Sequence, residues 1–174
     1  DVYNLIVFSA NGWHGLGPNN RKFYWNSDKK YFEPHISCAH SKGYLFKEVI
    51  SSGIPFYINK NQVDMKPRLR GLVKCYQLSK FFRKVNIDLI HSFHYGPDYS
   101  EALAAKIAGI PWVFTKKNMN WGGSSNNGWK IRSLLSSHIL LQNRDMQNLF
   151  FKNFRNTSLV PRGVDTRKFF PKRK

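Results

Sequence analysis

Short unbroken apolar runs alternate along this chain with longer segments whose apolar residues recur every three or four positions. Residues 4–10 (NLIVFSA) form such a run, the pattern of a strand covered on both faces. Comparable runs predict strands over 34–39, 54–58, 88–93, 111–115, 138–142 and 157–160. Between them, helical patterns are predicted over 21–32, 44–51, 67–84, 98–108, 130–136 and 145–154. In the longest helix Leu69, Leu72, Val73, Tyr76 and Phe82 keep helical spacing, a stripe expected to pack on the sheet. Pro67 suits its first turn, and Gly53 and Gly109 supply stops for the helices before them.

Strand–helix alternation with continuous apolar strands implies an α/β fold. Its sheet should be mostly parallel, six- to seven-stranded and covered on both faces, with right-handed crossovers. Ligands of such sheets sit outside the carboxyl ends of the strands. The informative residues are therefore those just after strands, in 12–18, 91–97 and 116–123.

Composition narrows this little. The 174 residues are 41% hydrophobic, too apolar for a disordered basic tail and enough for one core. No apolar run is long enough to span a bilayer, and residues 1–10 lack the basic leader of a signal peptide. Cys38 and Cys75 are too few for a disulfide framework or a zinc site and are read as reduced thiols of a cytoplasmic protein. Charge changes the picture more. Against 28 Lys and Arg stand only 10 Asp and Glu, a formal charge of +18. Such a surface attracts nucleic acid, acidic lipid or phosphorylated substrates, and charge alone does not choose among them.

Candidate chemistry is sparse. Gly12, Gly15 and Gly17 follow the first strand, where backbone N–H groups can approach a phosphate closely. Their spacing is neither the nicotinamide fingerprint nor a Walker loop. His14 lies in the same loop. His91 and His94 close the fourth strand in HSFHYGPD. His91 reads as a satisfied core histidine. His94 falls in the loop beside Tyr95, where it can exchange a proton or hydrogen-bond a hydroxyl. Lys116 and Lys117, followed by Asn118, come directly after the fifth strand and could together clamp an anion. No nucleophile elbow, Asp-x-Asp pair or metal-ligand cluster occurs, and Glu33, Glu48 and Glu101 are isolated from one another.

The carboxyl-terminal stretch LVPRGVD, followed by FFP at 169–171, resembles the I-P-N-G-V-D … F-x-P signature of glycosyltransferase family 4. DLIHSFHYGPDYSEALAAKIAGIPWVFT, from 88 to 115, is similar to the family's D-I-V-H-x-H … A-L-A-A-R-L-A-G-I-P-V-V-x-T block. GIPF at 53–56 is similar to its G-I-P-V strand entry, and the strand at 138–143 to the family's short strand leading into a helix. The resemblance implies a Rossmann-like three-layer domain over 1–174, one half of a GT-B fold. It further implies that the donor-binding C-terminal domain, with its glutamate pair, is absent from this chain. The activity implied is retaining transfer from a nucleotide-diphosphate sugar to a glycan or lipid-linked acceptor, in surface polysaccharide or lipopolysaccharide synthesis. No metal or other cofactor is expected, and the isolated 174 residues are expected to be inactive.

Carried over residue by residue, the resemblance places Gly15 and Gly17 by the donor phosphates, with His14 beside them on the substrate side. Phe93 stands where the second histidine of H-x-H is usual, which displaces that role to His94. Lys117 stands where many members have a histidine close to the transferred sugar, so His94 and Lys117 are the catalytic candidates. Tyr95, Lys116 and Asn118 are the substrate-binding candidates. Arg162 replaces the usual asparagine, and together these departures favour an anionic acceptor. Lys66, Arg68, Arg70, Lys74, Lys80, Arg83 and Lys84 on or beside the longest helix fit an anionic membrane surface at the inner face of the cell membrane. Nucleic acid is not expected as a partner, since no recognised binding motif occurs. A basic nucleic-acid-binding or membrane-binding module without catalysis is the alternative reading.

Overall fold

A computed structural model describes residues 4–9, 33–94, 96–120 and 126–160. Seven parallel strands form one sheet: β1 (Asn4–Ser9), β2 (Glu33–Cys38), β3 (Phe56–Ile58), β4 (Leu89–Ser92), β5 (Trp112–Lys116), β6 (His138–Leu141) and β7 (Thr157–Leu159). Their order is β3-β2-β1-β4-β5-β6-β7. Five helices alternate with them: α1 (Tyr44–Ser51), α2 (Arg68–Val85), α3 (Ser100–Ala108), α4 (Asn126–Leu135) and α5 (Arg144–Phe150). This is the expected α/β sheet of Rossmann type. The predicted helix at 21–32 lies outside the described residues.

The order reverses at β1. β2 and β3 step away on one side, whereas β4 to β7 step away on the other. Right-handed crossovers in opposite directions put their helices on opposite faces, so α1 covers one face and α2 to α5 the other. In the second layer α2 packs on α3 and α3 on α4. The core lies between that layer and β4, β5 and β6. It joins Phe82, Leu78 and Cys75 of α2, Ala102 and Ala105 of α3, and Ile90, Trp112, Phe114, Ile139 and Leu141 of the strands. Cys38 and Cys75 are both free thiols.

Local chemistry marks the element ends. Asn86 caps α2 in the left-handed region at φ 54, and Gly109 does the same for α3 at φ 79. The Asn143 side chain accepts the Met146 amide at 3.0 Å, capping the start of α5.

The stripe expected to bury α2 points the other way. Leu69, Leu72, Val73 and Tyr76 are 80%, 46%, 57% and 49% exposed, and of the five expected residues only Phe82 is buried. The face that packs is Gly71, Cys75, Leu78, Ser79 and Phe82, which also keeps helical spacing. Close approach decides between the two. A Cβ at Gly71 would lie 2.7 Å from the Met65 Cα, and the neighbouring face of α3 is built of alanines. Bulk at position 71 would press on Met65, so the first turns of α2 present Gly71 and Cys75 inward, with Leu78 and Phe82 following on the same face.

Candidate active site at the strand tips

β1, β4 and β5 are adjacent and parallel, so their carboxyl ends share one edge of the sheet, at the point where the strand order reverses. That is where open α/β sheets form a crevice. The loop after β1, with His14, Gly15 and Gly17, lies outside the described residues, as do Tyr95 and Arg162. After β4 and β5 residues 93, 94, 96–99 and 117–120 are described, and the two turns meet where Lys117 lies over Phe93.

Ser92 pairs with Phe114, so β5 runs two residues beyond β4. That register brings Thr115 beside the β4 histidine: His91 Nε2 lies 2.8 Å from Thr115 Oγ1, and its ring lies tilted 4.2 Å from that of Phe93. His91 is thus a satisfied, buried histidine. The Lys117 ammonium sits 5.0 Å over the Phe93 ring. Half-buried His94 follows. Burial, then the positive charges of Arg132 and Lys117, holds its imidazole down at about 4, so it is neutral at pH 7. A neutral imidazole has one nitrogen free of hydrogen and able to accept. The structure therefore brings His94 and Lys117 together at the crevice.

Lys116 and Asn118 are differently placed. Alternation along β5 turns Lys116 inward, where it is 1% exposed. Its ammonium donates to the Asn118 carbonyl at 2.7 Å, to Asn118 Oδ1 at 3.1 Å and to the Asn120 carbonyl. The rings of Phe150 and Trp129 lie 4.7 and 5.3 Å away. Burial, then Arg132, brings its pKa down to about 8. The Asn118 amide donates to Asn120 Oδ1 at 2.7 Å. Lys116 and Asn118 thus build the loop after β5. Of the expected Lys116–Lys117 clamp, Lys116 directs its ammonium to the Asn118 and Asn120 carbonyls, and Lys117, just beyond β5, lies over the Phe93 ring.

Under the β4–α3 turn, 93–99, lies a charged cluster that sequence reasoning missed. Arg132 of α4 is 1% exposed, with its guanidinium 4.9 Å from the rings of Trp112 and Phe114 and 5.5 Å from Trp129. It donates to the carbonyls of Asp98 (3.0 Å), His94 (3.2 Å) and Gly96 (3.4 Å). Burial lowers its pKa to about 10, against the attraction of Glu101 and Asp98, so it stays charged. Buried Glu101 accepts a hydrogen bond from Ser92 Oγ at 2.8 Å. Burial pushes its carboxyl up to about 7 despite Arg132. Asp98 accepts from the Ser100 amide and hydroxyl at 3.0 and 2.7 Å. The one signal for Arg132 in the sequence is its place three residues after Trp129, on the apolar face of α4.

Among the described residues no group of three or more His, Cys, Asp or Glu is placed to hold a metal ion, and no helix is long and apolar enough to cross a membrane.

The fold has counterparts among solved structures. The chain is similar to a glycosyltransferase from Rickettsia africae ESF-5, with TM-score 0.68 and 16% identity, over 98% of this chain and 45% of that one. It is similar to MurG of Acinetobacter baumannii, with TM-score 0.61 and 12% identity, over 96% and 48%. It is also similar to Anabaena Alr3699/HepE in complex with UDP-glucose, with TM-score 0.52 and 15% identity, over 94% and 45%. The chain therefore spans about half the length of these structures, as one half of a GT-B fold does. No curated protein matches it. Residues 27–168 match the family model described as Glycosyltransferase Family 4, a span that takes in β2 to β7 and both turns of the crevice. The chain belongs to glycosyltransferase family 4.

Proposed function

We propose that this chain is the acceptor-side half of a retaining glycosyltransferase that moves a sugar from a nucleotide-diphosphate sugar to a glycan or lipid-linked acceptor. The donor would be held mainly by a second domain closing on the strand-tip edge. The observation that carries this reading is the pairing of neutral His94 with cationic Lys117 at the switch point of the sheet. A nucleotide-sugar donor is supported by the UDP-glucose held by the Anabaena protein.

The chemistry follows from those two groups. The bond between the anomeric carbon and the diphosphate oxygen breaks, and the acceptor oxygen forms the new bond on the same face. Negative charge grows on the departing diphosphate, where the Lys117 ammonium stabilises it. His94 accepts a hydrogen bond from the acceptor hydroxyl and orients it. The proton passes to the departing phosphate, so no strong base is required. Closure of the second domain excludes water and limits hydrolysis.

The chain joined to its second domain should transfer sugar from a nucleotide sugar with chelator present. The 174 residues alone should transfer none. In the joined enzyme His94→Ala and Lys117→Ala should each lower kcat about 100-fold or more, the usual scale for a positioned acid–base or charge-stabilising group. Unchanged turnover in both variants would remove the reading.

The acceptor side of this reading is an enzyme resting on an anionic bilayer at the inner face of the cell membrane, in surface polysaccharide or lipopolysaccharide synthesis. The exposed α2 stripe supports it. Leu69, Leu72, Val73 and Tyr76 share a face with Lys80 and Lys84, and α2 contains no acid at all. Apolar side chains ringed by cations match lipid tails under acidic headgroups, whereas a second copy of so basic a chain would be repelled.

A further inference from the structure

We propose that Arg132 is a positioning residue: from α4 its guanidinium fixes the β4–α3 turn and thereby sets where His94 stands in the crevice. The functional part rests on the role given to His94 above, and the geometric part does not.

The turn is tied to β4 by the His94 amide, which donates to Ser92 Oγ at 3.4 Å. Its carbonyls at 94, 96 and 98 find their donors in one side chain, on a helix that follows β5 in the chain. The planar fork of an arginine can reach several acceptors at once. A lysine ammonium concentrates its donors at one point and cannot span them. The turn also curls tightly over its own histidine. Gly96 has φ +122, and a Cβ there would lie 3.3 Å from His94 Nε2. The His94 carbonyl is itself one of the three that Arg132 holds, so a shift of the turn carries the residue with it.

Core packing does not account for an arginine here. The cage of Trp112, Phe114 and Trp129 would hold a methionine without the penalty of burying a charge, and such replacements of buried ions are often neutral or stabilising. What an apolar residue cannot supply is the set of donors to the turn. Charge gives a second link. His94 faces two cations, Lys117 from the β5 loop and Arg132 from α4, while Glu101 and Asp98 face Arg132 from α3 and the turn. The group that holds the turn also disfavours protonation of its histidine.

Arg132→Met and Arg132→Lys in the 174-residue chain test this by NMR, with urea midpoints to follow the fold. In the methionine variant the ¹⁵N order parameters of 94–99 should fall below about 0.6, the range of flexible backbone, while those of α2 and β6 stay rigid. The His94 titration midpoint should rise toward its ordinary value of 6.5. The lysine variant keeps the charge, so the turn should loosen with a smaller rise in the midpoint. A folded methionine variant with an ordered turn and an unmoved His94 midpoint overturns the proposal. So does loss of order in α2 and β6 together with the turn in both variants, since Arg132 would then be a core residue and nothing more. None of these readouts involves sugar transfer. A loosened turn in a joined enzyme that transfers nothing would sink the proposed function and leave the positioning role standing.

Discussion

At the scale of single residues, the β4–α3 turn and the cluster beneath it hold two shifted titrations of opposite sign. The His94 imidazole is held at about 4 against an ordinary 6.5, so between those values the unfolded chain binds more protons. Stability from this group is full above 6.5 and is lost as the pH falls toward 4. The Glu101 carboxyl stands at about 7 against an ordinary 4.5, so over that window the folded chain binds more protons. Stability from this group is full below 4.5 and is lost as the pH rises to 7. Over pH 4.5–6.5 the two slopes oppose each other. Glu101→Gln should therefore uncover a stability that rises with pH in that window, and His94→Asn one that falls. Urea midpoints at half-unit pH steps read both slopes, and parallel curves for the two variants would contradict the assignment. His94 was legible in the sequence because it follows an apolar strand directly. Arg132 and Glu101 were not, because burial of a charge is decided by neighbours that come together only in the fold. The inward turn of Lys116 was half legible: alternation along a strand separates it from Lys117, but not which of the two faces the core.

For whole elements, order and type could be read from periodicity, and the lysine-rich helix shows where that reading stops. Both faces of α2 keep helical spacing, and from the sequence the bulkier one reads as the core side. Side-chain volume argues for that choice only when the facing surface has room, and at Gly71 the Met65 backbone leaves none. Substitutions separate the two faces. Phe82→Ala, on the packed side, should cost about 3–5 kcal/mol by opening a cavity. Gly71→Ala should cost about 1–3 kcal/mol, because its Cβ would meet Met65 backbone at 2.7 Å. Leu69→Ala should stay within about 0.5 kcal/mol of the parent, as exposed positions do. Equilibrium urea unfolding ranks the three. A Leu69→Ala loss as large as that of Phe82→Ala would restore the expected packing.

Across the molecule, strand–helix alternation made the parallel sheet legible. The reversal at β1 was reachable only through the resemblance to family 4, because apolar runs say nothing about which strands become neighbours. The same limit applies to charge. A formal +18 permits lipid, nucleic acid or phosphorylated substrates, and only placement in three dimensions distinguishes surfaces that serve different ends. Among the described residues two groups of cations lie apart: those of α2, with exposed apolar residues among them, and Lys117 at the strand tips beside His94. A bilayer needs the apolar stripe as well as the charge, whereas single-stranded nucleic acid needs stacking rings in a basic groove. Leu69→Glu with Val73→Glu should therefore abolish sedimentation with phosphatidylglycerol vesicles and leave the fold intact by circular dichroism. Lys117→Ala should leave sedimentation unchanged. Phosphatidylcholine vesicles should bind neither protein, because each basic residue adds on the order of 1 kcal/mol only at an anionic surface. Binding that survives the double glutamate variant would locate the membrane contact elsewhere. Tighter binding to a single-stranded oligonucleotide than to vesicles, with a steep loss in salt, would give the basic surface to nucleic acid instead.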